Sequence, residues 1–203
     1  CCDALAGLEA LSRALESHAF DAPDASIKAD WFAAVDPLTD APEKDDALPT
    51  DQQVIGAVQR ASGPDTVVMC AAGTMPGELH KLWKAPRPGA YHMEYGYSCM
   101  GYEIAGAMGI KLAAPEKLCI NVMGDAAFGM VGMDMETVAR ADIPILTIVL
   151  NNFTMAIYPD GRFPEAVRRY DIKGLTGNFA DVAQALGVFS ERITEPGEIV
   201  PAI

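Results

Sequence analysis

The sequence has 203 residues, of which 50% are hydrophobic and 21% charged, and its formal net charge is −13 at pH 7. This length and composition predict one sizeable α/β domain with an appended segment and exclude a disordered chain. The acidic balance argues against nucleic acid and anionic membranes as partners, no apolar run approaches the roughly 20 residues of a membrane span, and no signal peptide is visible.

The five cysteines are odd in number and favour reduced thiols in the cytoplasm. Cys70 and Cys119 fall in patterns typical of buried strands. The adjacent Cys1 and Cys2 have no second pair at zinc-ligand spacing, so metal binding there is disfavoured. The chain begins with Cys and stops just after a helix start, which predicts a piece of a longer polypeptide.

Residues 1–49 are predicted to be a helix plus a linker or entry segment from a preceding domain. Leucines recur at helical spacing within residues 3–17 and predict a helix that packs on a neighbouring domain. The next stretch, 21–49, is rich in Ala, Asp and Pro, which indicates a linker with a short helix. The main domain is predicted over 50–203, truncated at its carboxyl end.

The main domain is predicted to open with a helix capped at Thr50, followed by a buried strand over 66–70. Ala71-Ala72-Gly73-Thr74 then forms a turn of small residues. Such a turn lets backbone amides approach a ligand phosphate, although tight strand–helix turns in general use the same residues.

An aromatic-rich loop over 91–101 is predicted to open a helix that runs to Leu112. His92 and Glu94 in this loop are candidates for substrate contact, and a histidine titrates near neutral pH. Each is equally compatible with a structural hydrogen bond at a strand end, so both interpretations stay open. Three small residues predict a close-packed helix face: Gly101, Ala105 and Gly109.

The most informative stretch runs from Gly124 to Asn152. Apolar runs at 118–123 and 145–150 predict two parallel strands, the first of them buried on both faces, and each is followed by a polar turn. Because the carboxyl ends of parallel strands meet at one edge of the sheet, Asp125 and Asn152 are expected to lie close together. One carboxylate, one amide oxygen and free carbonyls are ligands suited to Mg²⁺.

The residues around Asp125 are small. Gly124, Ala126 and Ala127 let a phosphate approach the N–H groups at the start of the next helix. That helix is predicted over 131–140, with Met130, Met133 and Met135 in the core. Residues 153–162 are expected to be a turn and mobile segment, and the last elements are a helix capped at Asn178 and a strand over 188–193.

The Gly124–Asn152 stretch resembles the metal–diphosphate motif of thiamine diphosphate enzymes, a Gly-Asp-Gly followed by a spacer and Asn-Asn. Asp125 and Asn152 are 27 positions apart, inside the family's spacer range. The resemblance implies that Asp125, the Asn152 side chain and the Thr154 carbonyl are metal ligands. Ala126 replaces the second Gly of the motif, which puts the turn geometry in question more than cofactor binding.

The resemblance extends to the loop before the second helix. Met100, 25 positions before Asp125, matches the bulky residue that wedges between the two cofactor rings, although methionine is also common core filler. Ser98 would offer its carbonyl to the aminopyrimidine amine. The full predicted cofactor-binding set is Ala72, Gly73, Ser98, Met100, Gly124, Asp125, Ala126, Ala127 and Asn152.

The resemblance implies a doubly wound, mostly parallel sheet flanked by helices, in three α/β/α layers. It also implies an enzyme in which the cofactor performs the carbon–carbon chemistry. Two branches fit. Acetolactate synthase-like large subunits are lyases or transferases that cleave and form C–C bonds of 2-keto acids or diketones. Segments 77–83 and 91–101 resemble instead the ring-cleaving trihydroxycyclohexanedione hydrolases of inositol breakdown.

The family activates its cofactor with a glutamate from a separate pyrimidine-binding domain, which this sequence lacks, so the catalytic residue is unknown. The chain alone is therefore expected to bind the cofactor weakly and to be inactive. The resemblance implies a small-molecule substrate, an upstream pyrimidine-binding domain and a homodimer or tetramer. FAD is possible in the parent enzyme but is not expected in this chain.

Two functions of other classes compete. A Mg²⁺-dependent phosphoryl enzyme would need a nucleophile or base beside Asp125, and Ala126 and Ala127 offer none. A non-catalytic α/β interaction module would not need Asp125, Asn152 and Met100 together. A dinucleotide-binding domain is disfavoured because no Gly-x-Gly-x-x-Gly follows a strand.

Overall fold

The computed structural model describes residues 3–19, 21–22, 24–41, 47–155 and 161–203. The chain divides into two compact units, Cys1–Ala34 and Val35–Ile203. The domain boundary after residue 49 stays a prediction. Cys1, Cys2 and part of the predicted mobile segment, 156–160, lie outside the described residues.

The first unit contains helix α1, Ala4–Ala14, and most of helix α2, Ala25–Val35. The Asp3 side chain caps α1 by accepting a hydrogen bond from the Ala6 N–H at 3.1 Å. The leucine face predicted from the sequence is exposed: Leu5, Leu8, Leu11 and Leu15. The packing partner expected for this helix stays a prediction.

The second unit is built on a four-stranded parallel sheet in the order β2-β1-β3-β4. Its strands are β1 Thr66–Cys70, β2 Tyr91–Met93, β3 Leu118–Gly124 and β4 Leu146–Leu150. With helices packed around it, this sheet confirms the predicted doubly wound fold. Strand β2 was missed, because its three residues sit in a polar, aromatic stretch with no apolar run.

The register of the sheet brings three strand ends to one edge. Val68 of β1 pairs with Ile120 of β3, and Ile120 pairs with Leu146 of β4. Every residue of β1 is buried, as is the central part of β3, which explains their continuous apolar runs. The turns that follow Cys70, Gly124 and Leu150 therefore emerge side by side.

The predicted helices of the second unit are present with shifted bounds, whereas the helix over 164–170 was not predicted. They are α3 Asp51–Ala61, α4 Met75–Leu82, α5 Tyr102–Ala113, α6 Asp125–Val131, α7 Asp134–Arg140, α8 Pro164–Tyr170, α9 Phe179–Ala185 and α10 Ile199–Ala202, with 3-10 turns at Asp36–Thr39 and Pro196–Glu198. Both predicted caps are present: Thr50 forms a capping box with Gln53, and the Asn178 side chain accepts from the Ala180 N–H at 3.2 Å.

One predicted element starts late and another is wrong. The helix expected over 131–140 begins only at Asp134, because α6 ends at Val131 and Gly132 lies against Phe128. The segment 188–193 forms no strand. It is bonded to α9 instead of β4, since the Val188 N–H donates to the Ala183 carbonyl at 3.1 Å and the Ser190 hydroxyl to the Ala180 carbonyl at 2.6 Å.

The packing of small residues and methionines also differs from the prediction. Ala105 and Gly109 are exposed, so they form no close-packed face with Gly101. Met135 is buried in a core cluster with Ile104, Met123 and Phe128, whereas Met130 and Met133 are exposed. Helical periodicity alone did not locate the buried face, because the chain is not one continuous helix but breaks between α6 and α7 at Gly132.

No helix among the described residues is long and apolar enough to cross a membrane. The cysteines that the structure describes, Cys70, Cys99 and Cys119, are all free thiols.

Candidate functional site

A cavity of about 60 Å³ opens at the edge of the sheet where the strands β1, β3 and β4 end. Its walls are the turns after these three strands together with Met100 and Asp51. The lining residues are Asp51, Ala72, Gly73, Thr74, Met75, Met100, Gly124, Asp125, Ala126, Ala127, Leu150, Asn152, Thr154 and Met155. Every predicted cofactor-binding residue except Ser98 is among them, as are the three predicted metal ligands; their roles stay predictions.

Asp125 is the most unusual residue of the cavity. It is the first residue of α6, is only 2% exposed, and accepts a hydrogen bond through Oδ1 from the Ala126 N–H at 2.7 Å. Its other oxygen, Oδ2, is buried and has no hydrogen-bond partner within the part of the chain that the structure describes. A buried carboxylate oxygen without a partner is costly, and a bound cation would satisfy it.

Burial raises the pKa of the Asp125 carboxyl group above its ordinary value. The backbone N–H groups of Ala126, Phe153, Thr154 and Asn152 act in the opposite direction because they favour the charged form. The carboxylate and the loop after β4 line the same cavity.

The loop after β4 is held in shape by its own asparagines. Asn151 Oδ1 accepts from the Phe153 N–H at 3.3 Å, and Asn152 Oδ1 accepts from the Thr154 N–H at 3.1 Å. Thr154 also pairs with Gly174 in an antiparallel bridge. These contacts place the Asn152 amide and Thr154 at the same cavity as Asp125, which makes an oxygen set of the kind that Mg²⁺ prefers.

The described residues contain no group of three or more His, Cys, Asp or Glu side chains that could hold a metal ion. A cation at this cavity would accordingly depend on one carboxylate, one amide and backbone oxygens, completed by ligand phosphates and water. That donor set fits Mg²⁺ and disfavours zinc, which prefers Cys and His.

The turn after β1 forms the opposite wall. Ala72 is 4% exposed, and Gly73 adopts a φ of +84° that favours glycine. Apart from its chain neighbours, no described residue has an atom within 4 Å of the position that a Cβ would take on Gly73, so the space beside it is open. Small residues here leave the backbone accessible to a ligand.

Three predicted residues lie apart from the cavity lining. Ser98 is exposed with a φ of +55° and does not line it. His92 Nε2 lies 3.1 Å from the Gly89 carbonyl, in contact with its own turn. Glu94 accepts from the N–H groups of Tyr97 at 2.9 Å and Cys99 at 2.8 Å, and these contacts lower the pKa of its carboxyl group.

Glu94 therefore stabilises the loop by hydrogen bonds, which is the structural role that the sequence left open beside substrate contact. Substrate contact stays a prediction for both His92 and Glu94.

Sequence reasoning missed two acidic residues near the cavity. Asp51 lines it, and burial together with the nearby Glu78 raises the pKa of its carboxyl group. Glu103 is 0% exposed and bonds to backbone on two cavity walls. The sequence could have indicated that Glu103 is unusual, because Glu103 is the only charged residue in the otherwise apolar first half of α5.

A family model described as the C-terminal TPP binding domain of thiamine pyrophosphate enzymes matches residues 71–203. Three relatives share the name 3D-(3,5/4)-trihydroxycyclohexane-1,2-dione hydrolase. The protein of Halalkalibacterium halodurans is 36% identical over 169 residues, which is 78% of this chain and 26% of the relative. That of Bacillus licheniformis is 33% identical over 155 residues, 72% of this chain and 24% of the relative.

The third relative, from Bacillus thuringiensis, is 40% identical over 103 residues, which is 51% of this chain and 16% of the relative. The chain thus spans about a quarter, or less, of the length of these curated relatives.

Proposed function

Because the chain belongs to the family of C-terminal TPP binding domains of thiamine pyrophosphate enzymes, we propose that its cavity binds the diphosphate of thiamine diphosphate (TPP) through Mg²⁺. The observation that carries this proposal is the buried Asp125 Oδ2, which lacks a hydrogen-bond partner among the described residues and lies on a cavity lined by amide and small residues. A metal ion there would remove the cost of the unsatisfied charge.

Each cavity wall has its own task in this proposal. Asp125, the Asn152 side chain and the Thr154 carbonyl hold the metal ion. The backbone of Ala72 and Gly73 accommodates the cofactor on the facing wall, and Met100 provides an apolar surface for its rings. When bound, thiamine diphosphate supplies a carbanion and an electron sink for breaking a bond next to a carbonyl group.

For the parent protein we propose the activity of the relatives, the hydrolytic ring cleavage of a trihydroxycyclohexanedione, over acetolactate synthase-like chemistry. The support is the shared name of three relatives that are 33–40% identical. We propose further that a glutamate from a separate pyrimidine-binding domain completes the site in a homodimer or tetramer. The free thiols of Cys70, Cys99 and Cys119 support a cytoplasmic location.

Calorimetric titration tests the cavity directly. Thiamine diphosphate titrated into the chain should bind in the presence of Mg²⁺ and lose that binding in EDTA. Asp125→Asn keeps the size of the side chain but removes the charge, so we expect it to weaken metal-dependent binding at least tenfold, about 1.4 kcal/mol.

The matched control is Asp181→Asn, the same change at an exposed position in the first turn of α9. It should leave binding unchanged. Equal heats with Mg²⁺ and EDTA, or no binding at millimolar cofactor, would contradict the proposed function. Equal affinities of wild type and Asp125→Asn would contradict the role of Asp125.

A further inference from the structure

Glu103 is a fully buried carboxylate that the proposed metal and cofactor contacts leave unused. It lies in the first turn of α5 and has 0% exposed surface. Burying a charged side chain is unfavourable unless hydrogen bonds or an opposite charge compensate it. The partners of Glu103 therefore indicate what the burial achieves.

Those partners are backbone N–H groups from two separate segments. Glu103 Oε2 accepts from the Gly101 N–H at 2.8 Å, and Oε1 accepts from the Ala72 N–H at 3.4 Å. The N–H groups of Ala71 and of Glu103 itself also favour the charged form, while burial raises the pKa of the carboxyl group. Every one of these partners is a donor, so the carboxylate is satisfied without a proton.

Both segments are walls of the cavity. Ala72 lines it directly, and the Gly101 N–H belongs to the peptide group that follows Met100, another lining residue. Ala72 and Gly101 are 29 positions apart in the sequence and belong to different loops. One carboxylate thus connects the turn after β1 with the loop that carries Met100.

The position of Gly101 is restricted from the other side as well. It has a φ of +94°, and a Cβ built on it would lie 2.5 Å from Val131 Cγ1 of α6. The Met100–Gly101 peptide is therefore held between α6 and the Glu103 carboxylate, and a small displacement of either would move Met100.

We propose that Glu103 is a positioning residue that fixes the turn after β1 and the Met100 loop at one separation before the cofactor enters. The inference rests on the proposed function, because it assumes that the cavity between these walls takes thiamine diphosphate. It assigns Glu103 no contact with the cofactor itself.

Hydrogen–deuterium exchange on the chain without cofactor tests the bridge. In Glu103→Ala we expect exchange to rise at least tenfold in peptides covering both 70–75 and 97–101, with the strands β3 and β4 unchanged. Glu103→Gln keeps one acceptor oxygen and should release one wall only. This second variant also preserves the test if Glu103→Ala fails to fold.

Cofactor affinity in Mg²⁺ is the second readout. We expect thiamine diphosphate to bind at least tenfold more weakly to Glu103→Ala than to wild type. The control is Asn121→Ala, which removes another fully buried polar side chain, one that donates to Thr147 Oγ1 at 2.8 Å between β3 and β4. It should destabilise the sheet without releasing the two walls.

The proposal for Glu103 is overturned if either wall stays as protected in Glu103→Ala as in wild type. It is equally overturned if Asn121→Ala weakens cofactor binding as much as Glu103→Ala does. Failure of wild type to bind the cofactor would contradict the proposed function, and the exchange measurement would still decide whether Glu103 joins the two walls.

Discussion

At the scale of single residues, the two buried carboxylates at the cavity differ in their hydrogen-bond partners. Glu103 meets backbone donors with both of its oxygens, whereas Asp125 leaves Oδ2 without a partner among the described residues. A satisfied carboxylate stabilises its surroundings, and an unsatisfied one stores a cost that a ligand can remove. This difference is why we assign a positioning role to Glu103 and a binding role to Asp125.

Gly101→Ala is expected to destabilise the chain by about 2–4 kcal/mol. The φ of +94° disfavours any residue with a Cβ, and the new methyl group would meet Val131 Cγ1 at 2.5 Å. Urea unfolding followed by circular dichroism measures the change in the free energy of unfolding.

Gly109→Ala is the matched control on the same helix. Gly109 is exposed inside α5, and apart from its chain neighbours and the local helix backbone no described residue has an atom within 4 Å of the position that a Cβ would take there. Alanine should therefore stabilise the helix by about 0.5–1 kcal/mol. Equal effects of the two substitutions would contradict the close approach of Gly101 to α6.

At the scale of elements, the turns that follow the strands carry the site, and the helices that begin there hold those turns in place. Helix α6 starts at Asp125 directly after β3, with no loop between the strand and the helix. The loop after β4 is bonded to the segment before α9: the Leu175 N–H donates to the Phe153 carbonyl at 2.9 Å. The site therefore depends on contacts outside its own motif.

Helix α3 offers a test of local stabilisation next to the cavity. The Gln53 N–H donates to Thr50 Oγ1 at 3.3 Å, and the Thr50 N–H donates to Gln53 Oε1 at 2.9 Å. Thr50→Ala removes one half of this capping box and should lower the free energy of unfolding by about 1 kcal/mol.

Thr50→Ser retains the hydroxyl group and should stay close to wild type. In a double-mutant cycle, Thr50→Ala and Gln53→Ala should couple, because each bond helps to hold the geometry of the other. Strictly additive losses would argue against a reciprocal cap.

At the scale of the whole molecule, the strand order decides where the site forms. With β1 and β4 on either side of β3, the turns after all three strands meet in one cavity. Binding sites of open α/β sheets lie at such carboxyl edges. The family match over 71–203 begins at the turn after β1 and includes all of these turns.

The proposed function predicts the reaction of the protein that carries this sequence. We expect that protein to open the ring of a trihydroxycyclohexanedione with consumption of water and to form no acetolactate from pyruvate. Asp125→Asn should lower the hydrolysis rate at least a hundredfold, while Asp181→Asn should not. Product analysis by mass spectrometry distinguishes the two reactions. Formation of acetolactate would contradict the proposed ring hydrolysis and favour acetolactate synthase-like chemistry.

The sequence was sufficient for most of the fold, and eight of the nine predicted cofactor-binding residues line one cavity, although their roles stay predictions. Buried parallel strands such as β1 and β3 read as continuous apolar runs, and the Gly124–Asn152 motif carries its family resemblance at a fixed spacing, which the family match confirms. The short strand β2 was missed because its three residues form no apolar run. The break between α6 and α7 was missed because no apolar pattern marks the point where α6 ends.

What the sequence by itself determined is local: strand runs, helix caps at Thr50 and Asn178, and the spacing of the motif. Only the tertiary structure decided that Met130 and Met133 are exposed, that 188–193 is bonded to α9, and that Glu103 joins two loops. The physical reason is the separation along the sequence between the residues that interact. Caps and apolar runs are set by neighbours within a few positions, whereas the surroundings of a buried carboxylate depend on elements that are distant in the sequence and meet only when the sheet forms.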